Sequence, residues 1–214
     1  MPERGKQRPL PDQYATVADD IIGYIGARGG VWLDVGSGPG GLGLALAQQH
    51  KGLTLLLDPN PGSLRTALGS ARERGLSARV ATVIGTAEDP PLPDESVDVI
   101  VSRGSFFFWQ DRAEGLRRLY RLLHPGGMAM IGGGLGSKYP AWAREKFIRR
   151  QRERMTDPTE REKFREARSP ATFERLARQA GLRDFEVVGE GGLDADDPDA
   201  GRGIWLRFGR ERES

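Results

Sequence analysis

The stretch Asp34-Val35-Gly36-Ser37-Gly38-Pro39-Gly40-Gly41 sets an acid directly before a run of glycines. Glycine reaches backbone dihedrals barred to other residues and lets a ligand approach the main chain closely. A loop of this kind that opens a helix offers free N–H groups to a carboxylate or a phosphate. Gly36, Gly38 and Gly41 also satisfy the dinucleotide pattern G-x-G-x-x-G, and Asp58 stands at the distance of a ribose-binding acid. The loop alone therefore leaves more than one nucleoside-bearing ligand open.

Such a loop works only if strands and helices hold it. Val31 to Val35, Thr54 to Leu57, Ala78 to Ile84, Val97 to Ser102 and Met128 to Ile131 read as short apolar strands. Between them the spacing predicts helices: Gln13 to Ala27, closed by Gly29-Gly30, one from about Gly40 to Gln49, one N-capped by Ser63, and one entered by an Asp111/Glu114 capping box. Ser169-Pro170 starts a last helix, and Phe185 to Val188 and Ile204 to Phe208 form a closing antiparallel pair around the acidic loop Gly189 to Arg202. The expected fold class is α/β: a Rossmann-like, seven-stranded, mostly parallel sheet with helices on both faces and a C-terminal antiparallel hairpin. Residues 1–12 read as a polar arm and 13–214 as one domain carrying a charged helical insertion at about 137–168. In such sheets ligands bind beyond the carboxyl ends of the strands, so the loops there carry the function.

Several motifs in order resemble the class I S-adenosylmethionine-dependent methyltransferases. An acid precedes the glycine loop in LDVGSGPG, where dinucleotide fingerprints commonly have an apolar residue. LLLDPNPGSL ends its strand on Asp58. GTAEDPPLPDESVDVIVSRGS is similar to the family's link between its third and fourth strands, and RLLHPGGMAMI to its turn before the fifth. The resemblance covers Val31 to Ile131 closely and the C-terminal part loosely. It implies that S-adenosylmethionine is the cofactor, leaving as S-adenosylhomocysteine. It implies that Asp34 holds the cationic amino group while Gly36, Ser37, Gly38 and Gly40 wrap the methionine end. Asp58 and Pro59 would meet the ribose, Thr86, Ala87 and Glu88 the adenine, and Ser102 and Arg103 the methionine end or the acceptor. Two carboxylate oxygens can accept both ribose hydroxyls at once. His124 falls in the turn before the fifth strand and His50 at an exposed helix end.

The acceptor is less legible. The resemblance directs it to the N-terminal helix, the loop after the fourth strand and whatever follows the fifth, here Tyr14, Phe106, Phe107 and Trp109, and the segment from Gly132 to Arg168 with Tyr139. Consecutive aromatics cannot all face one way, so some pack inward and some suit an apolar or planar acceptor. Arginines 144, 149, 150, 152 and 154 are interleaved with Glu145 and Glu153 and read as a solvated helix face rather than an acidic-ligand surface. No catalytic residue has a signature; Tyr14, Asp111, Tyr139 and His124 are the nearest general-base candidates by placement.

Composition narrows the classes. With 32 basic and 30 acidic residues in 214, the net charge of +2 gives no global case for nucleic acid or membrane. The absence of cysteine and the presence of only two histidines leave no metal-ligand spacing. The reading is methyl transfer to a small molecule by a cytoplasmic enzyme. Its competitors are an RNA or protein methyltransferase, an NAD-dependent oxidoreductase and a non-catalytic cofactor-binding protein.

Overall fold

The computed structural model describes residues 9–154, 156–190 and 203–212. Seven strands form one sheet: β1 (Val31–Val35), β2 (Leu53–Asp58), β3 (Val80–Ile84), β4 (Val97–Arg103), β5 (Leu123–Gly133), β6 (Phe185–Val188) and β7 (Ile204–Gly209), in the order β3-β2-β1-β4-β5-β7-β6. The first five pair in parallel, and β7 runs antiparallel to both β5 and β6. The central strands are apolar along their length because both faces are covered. Leu33 and Val35 of β1 belong to the core on one side, and Trp32, the residue before Leu33, to the core on the other. On β4 a register shift between Val97 and Val99 breaks this alternation, so Val97 packs with Ile100 on one face and Val99 with Val101 on the other.

One face is covered by α4 (Arg112–Leu122) and α7 (Pro170–Gln179), whose Leu116, Leu119, Phe173 and Leu176 are buried. The other is covered by α1 (Gln13–Ile25) and α2 (Gly41–Ala47) through Val17, Ile21, Leu42 and Leu46. α3 (Pro61–Glu73) closes a smaller core with Leu64, Ala67 and Ala71 against Leu56 and Val80. Two further helices, α5 (Ala141–Arg154) and α6 (Pro158–Ala167), lie beyond the end of β5. Among the described residues no helix is long and apolar enough to cross a membrane.

Several expectations need correction. α3 is capped by Asn60, whose side chain accepts the amides of Gly62 and Ser63, with Pro61 opening the helix; Ser63 already lies inside it. α1 ends at Ile25 because Gly26 takes φ +85°, earlier than the Gly29-Gly30 pair. β3 starts at Val80 rather than Ala78. β5 begins at Leu123, so the His124-Pro125-Gly126-Gly127 turn is part of a strand: the Gly126 amide donates to the Arg210 carbonyl and the Arg210 amide to that of Gly127. The charged segment is two helices, since Asp157 caps a new one whose first residue is Pro158. Asp12 caps α1, and Leu10 packs near Leu135, Tyr139 and Ala143, so the described end of the polar arm is tied down. The rest of that arm, residues 1–8, and most of the acidic loop, 191–202, lie outside the described residues.

His50 is buried, not exposed. Its ring stacks on Trp32 with centroids 4.3 Å apart, its Nε2 meets the Thr54 hydroxyl at 3.0 Å and its Nδ1 accepts the Gly52 amide. Burial, helped by the positive charge of Arg79, pushes its pKa down to about 4. His50 is thus a neutral core residue bonded on both nitrogens.

Candidate active site

The loop after β1 is set by backbone bonds. The amides of Gly36 and Ser37 both donate to the Leu57 carbonyl at 2.8 and 3.0 Å, folding the loop over the end of β2. Gly36 has φ +66°, and a Cβ there would lie 2.2 Å from that of Ser105, so only glycine fits. Gly38 also has positive φ, +53°, but nothing stands within 4 Å of where its Cβ would be. Its cradle is open on that side. Ser37 carries a buried hydroxyl with no hydrogen-bond partner, an unmet polar group at the heart of the loop.

Two carboxylates frame this loop. Asp34 is 3% exposed, and its Oδ2 accepts the Gly43 amide at 2.8 Å. Burial raises its pKa to about 7 and the negative charge of Asp58 adds to the rise, against the Gly43 N–H and the Arg103 guanidinium, which lower it. Asp58 ends β2 with Oδ2 accepting the Gly38 amide at 2.8 Å and Oδ1 that of Asn60 at 2.9 Å. Pro59 beside it is exposed. An ionised carboxylate has about four lone-pair sites, so further donors can still be accepted.

The third contribution follows β3. Thr86 is exposed, and its hydroxyl accepts the Asp89 amide. Ala87 is 3% exposed and belongs to the core beside Gly115. Glu88 accepts the amides of Gln110 and Asp111 at 2.7 and 3.2 Å, which ties this loop to the entry of α4. The capping box is accordingly half made: Asp111 accepts the Glu114 amide, but Glu88 rather than Glu114 takes that of Asp111, and Glu114 pairs with Arg117. Since β1, β2 and β3 are parallel neighbours, Asp34, Asp58 and Glu88 arise at one end of the sheet.

The end of β4 is different in kind. Ser102 has no exposed surface and its hydroxyl bonds that of Ser105 at 2.7 Å. Ser105 in turn donates to the Val35 carbonyl at 2.8 Å and accepts the Trp109 indole N–H at 3.1 Å. Buried Ser102 therefore supports the loop rather than presenting a side chain to a ligand. Phe106, expected beside the acceptor, is also fully buried and packs on Phe173 and Trp109 with centroids 4.9 and 5.1 Å away. Of the four aromatics, Phe107 and Trp109 are half-buried and Phe108 is 85% exposed. Tyr139 is 4% exposed, its hydroxyl donating to the Pro11 carbonyl, so it closes a small core rather than lining a pocket.

Arg103 ends β4 with Nε and Nη2 both donating to the Gly134 carbonyl, at 3.0 and 2.8 Å, and its guanidinium lies 5.1 Å from the Tyr14 ring centroid. Behind it opens a cavity of about 750 Å³, walled by Arg103 and Gly104, by Gly133 to Leu135 at the end of β5 and just beyond it, and by α5 and α6. Phe147, Ile148 and Phe164 supply its apolar wall; Tyr14, Phe107, Trp109 and Tyr139 are not on it. Arg144 is also on this wall, in a buried ion pair with Glu190, which corrects the reading of the whole arginine series as a solvated face. Arg149, Arg150 and Arg154 are exposed as expected, and the side chain of Arg152 lies outside the described residues. Helical spacing places Arg144, Phe147 and Ile148 on one face, a signal present in the sequence but hidden by the density of charge.

Comparison with known proteins assigns the chain. Residues 33–131 match the family described as a methyltransferase domain. Over 118 residues, 54% of this chain, it is 34% identical to the 2-methyl-6-phytyl-1,4-hydroquinone methyltransferase 2 of Oryza sativa. Over 113 residues, 51% of the chain, it is 32% identical to the ubiquinone/menaquinone biosynthesis C-methyltransferase of Vibrio vulnificus. The matched stretch spans 32% and 44% of those proteins' own lengths. A solved structure from Methanococcus maripaludis, described as a candidate S-adenosyl-L-methionine-dependent methyltransferase, superposes with a TM-score of 0.77 at 30% identity, over 94% of this chain and 87% of that one. A nicotinamide-dependent oxidoreductase is thereby set aside. With its sheet order, its acid-preceded glycine loop and this whole-length similarity, the chain belongs to the class I S-adenosylmethionine-dependent methyltransferases.

Proposed function

We propose that this methyltransferase acts on a small organic acceptor held in the cavity behind the ends of β4 and β5. The supporting observation is the placement of that cavity. It starts at Arg103 and Gly104, and the next residue, Ser105, is bonded to the Val35 carbonyl and packed against Gly36 of the glycine loop. Its volume, about 750 Å³, falls within the range of small-molecule sites. The curated relatives named above carry hydroquinone and quinone-pathway names, which fits an acceptor of that size.

The residues of the first three loops fit S-adenosylmethionine. The orphaned Ser37 hydroxyl and the open side of Gly38 suit its methionine carboxylate, with the positive-φ turns of Gly36 and Gly40 shaping the loop. Asp34 suits the ammonium group, because a neighbouring cation restores the charge that burial disfavours. Asp58 beside Pro59 keeps lone pairs for the ribose hydroxyls, and Thr86, Ala87 and Glu88 edge the adenine side. The cofactor supplies a methyl group on a sulfonium, transferred by in-line displacement. The chain's part is alignment and exclusion of water, which can supply effective molarities on the order of 10⁵ M or more. Ser102 acts through Ser105, and Arg103 stands between the two compartments.

The test supplies the protein with methyl-labelled S-adenosylmethionine and separate metabolite, RNA and protein fractions. Label appearing in the metabolite fraction is the expected result; label confined to RNA or protein overturns the small-molecule reading.

A further inference from the structure

The loop after β4 meets the glycine loop at one hydroxyl. Resting on the reading that the cavity behind the ends of β4 and β5 receives the acceptor, we infer that Ser105 is a positioning residue for methyl transfer: its hydroxyl holds the loop that borders the acceptor in register with the loop that carries the cofactor.

A hydroxyl has one proton to donate and two lone pairs with which to accept. The Val35 carbonyl can only accept, so the Ser105 proton goes there, at 2.8 Å. The Trp109 indole N–H can only donate, and it takes one lone pair at 3.1 Å. Ser102, at 2.7 Å, is thereby left to donate to the other. Every capacity of this hydroxyl is used, and its partners come from different parts of the chain. Val35 ends β1 and leads into the glycine loop, Ser102 lies in β4, and Trp109 follows the short 3₁₀ turn Phe106–Phe108. The indole also reaches the loop after β3, since Trp109 and Ala87 both crowd the place where a Cβ on Gly115 would stand.

The two loops are packed as well as bonded. The register of β1 against β4 ends at Asp34 and Val101, and beyond it Ser105 lies so close to Gly36 that no Cβ fits there. On the other side Gly104 lines the cavity, and the Phe107 ring lies 3.3 Å from where a Cβ would stand on Gly133, another residue of the cavity wall. Without the Ser105 hydroxyl the glycine loop keeps its bonds to the Leu57 carbonyl and to Asp58, so its hold on the cofactor remains. The loop after β4 keeps the Gly104 amide on the Gly132 carbonyl and the Gln110 and Asp111 amides on Glu88. Those bonds lead to β5 and to the loop after β3, not to the glycine loop. Losing the hydroxyl therefore separates cofactor affinity from alignment: both loops stay in place on their strands but lose their common register. A misplacement of about 1 Å can cost on the order of a hundredfold in rate.

The test replaces Ser105 with alanine and, separately, with cysteine, which keeps the shape but donates and accepts weakly. Transfer from methyl-labelled S-adenosylmethionine into a metabolite extract is followed at one extract concentration and rising cofactor. Rates are divided by the number of S-adenosylhomocysteine sites found by calorimetry, so that unfolded chain does not count. Each variant should lose at least about tenfold in maximal rate, while KM for S-adenosylmethionine and Kd for S-adenosylhomocysteine change less than about threefold. Ser102→Ala, which leaves the bonds to Val35 and Trp109 in place, should lose clearly less. On the unsubstituted chain the Trp109 indole N–H should exchange with deuterium at least about tenfold more slowly than a free indole, which keeps the test open if a variant fails to fold. Unchanged maximal rates, a fall in cofactor affinity that accounts for the loss, or an indole that exchanges freely overturns the inference. If label enters RNA or protein instead, the same measurement is made with that fraction. No transfer to any fraction by the unsubstituted chain sinks the acceptor reading, and the inference with it; transfer that both variants leave intact overturns the role of Ser105 alone.

Discussion

Asp58 accepts the Gly38 amide through Oδ2 at 2.8 Å, so the acid that ends β2 holds the glycine loop that follows β1. One side chain thus both shapes the loop and faces the proposed ribose. Replacing Asp58 with alanine removes both contributions. Hydrogen bonds to a charged group contribute about 1.5–3 kcal/mol each, so affinity for S-adenosylhomocysteine is expected to fall about a hundredfold. Isothermal calorimetry measures this, and an unchanged dissociation constant excludes Asp58 from the cofactor site.

Asp34 gives a pH dependence of defined sign. Its pKa is about 7 in the folded chain, against the ordinary carboxylate value of 3.8 in the unfolded chain. Between these values the folded state binds the extra proton, so this group makes stability fall as pH rises from about 4 to about 7. Cofactor binding runs the other way, because an ammonium beside Asp34 favours its ionised form. Affinity should rise with pH up to about 7 and then level off. Asp34→Asn should remove both trends, as read by urea unfolding and by calorimetry at successive pH values.

Gly36 and Gly38 look alike in sequence, but the surroundings separate them. An alanine at Gly38 meets only the strain of positive φ, about 1–2 kcal/mol. At Gly36 the added methyl would also strike Ser105, whose hydroxyl bonds Val35, Ser102 and Trp109. Gly36→Ala should therefore cost clearly more stability than Gly38→Ala, about 3 kcal/mol or more once overpacking is added. Chemical denaturation of the two variants decides it, and equal losses contradict the packing shown.

The Arg144–Glu190 pair fastens α5 to the chain after β6 and to the amides of Leu135 and Gly136. Breaking a buried pair from one side strands the other charge, at about 3–5 kcal/mol. Arg144→Met is expected to lose about that much, and the double variant with Glu190→Met clearly less than the sum of the single losses. A double-mutant cycle by urea unfolding provides the check.

His50 should stay neutral across the physiological range. Its pKa is lowered to about 4 from 6.5, so the folded chain holds fewer protons between those values and this group's contribution to stability is lost as pH falls from about 6.5 to about 4. Proton NMR of its ring should show no titration above about pH 5. A midpoint near 6.5 would mean that the stack on Trp32 does not exclude water.

How far the sequence alone could be read follows from the range of the forces involved. Strand-length apolar runs, the Asp111 and Ser169 caps and the glycine loop are local: each depends on residues a few positions apart, so the parallel core and the cofactor loops could be placed from spacing. Asp34, Asp58 and Glu88 were legible as a set for the same reason, since each closes or follows a strand and parallel neighbours end together. Burial and long-range partners were not local. His50 could be recognised as a core residue only once Trp32 lay across it, and Phe106 could be told from Phe107 only once Phe173 filled the space beside it. The cavity proposed for the acceptor is the clearest case. Its charged wall comes from α5, α6, β4 and Glu190, segments that no sequence periodicity relates, and folding alone put a buried carboxylate against Arg144.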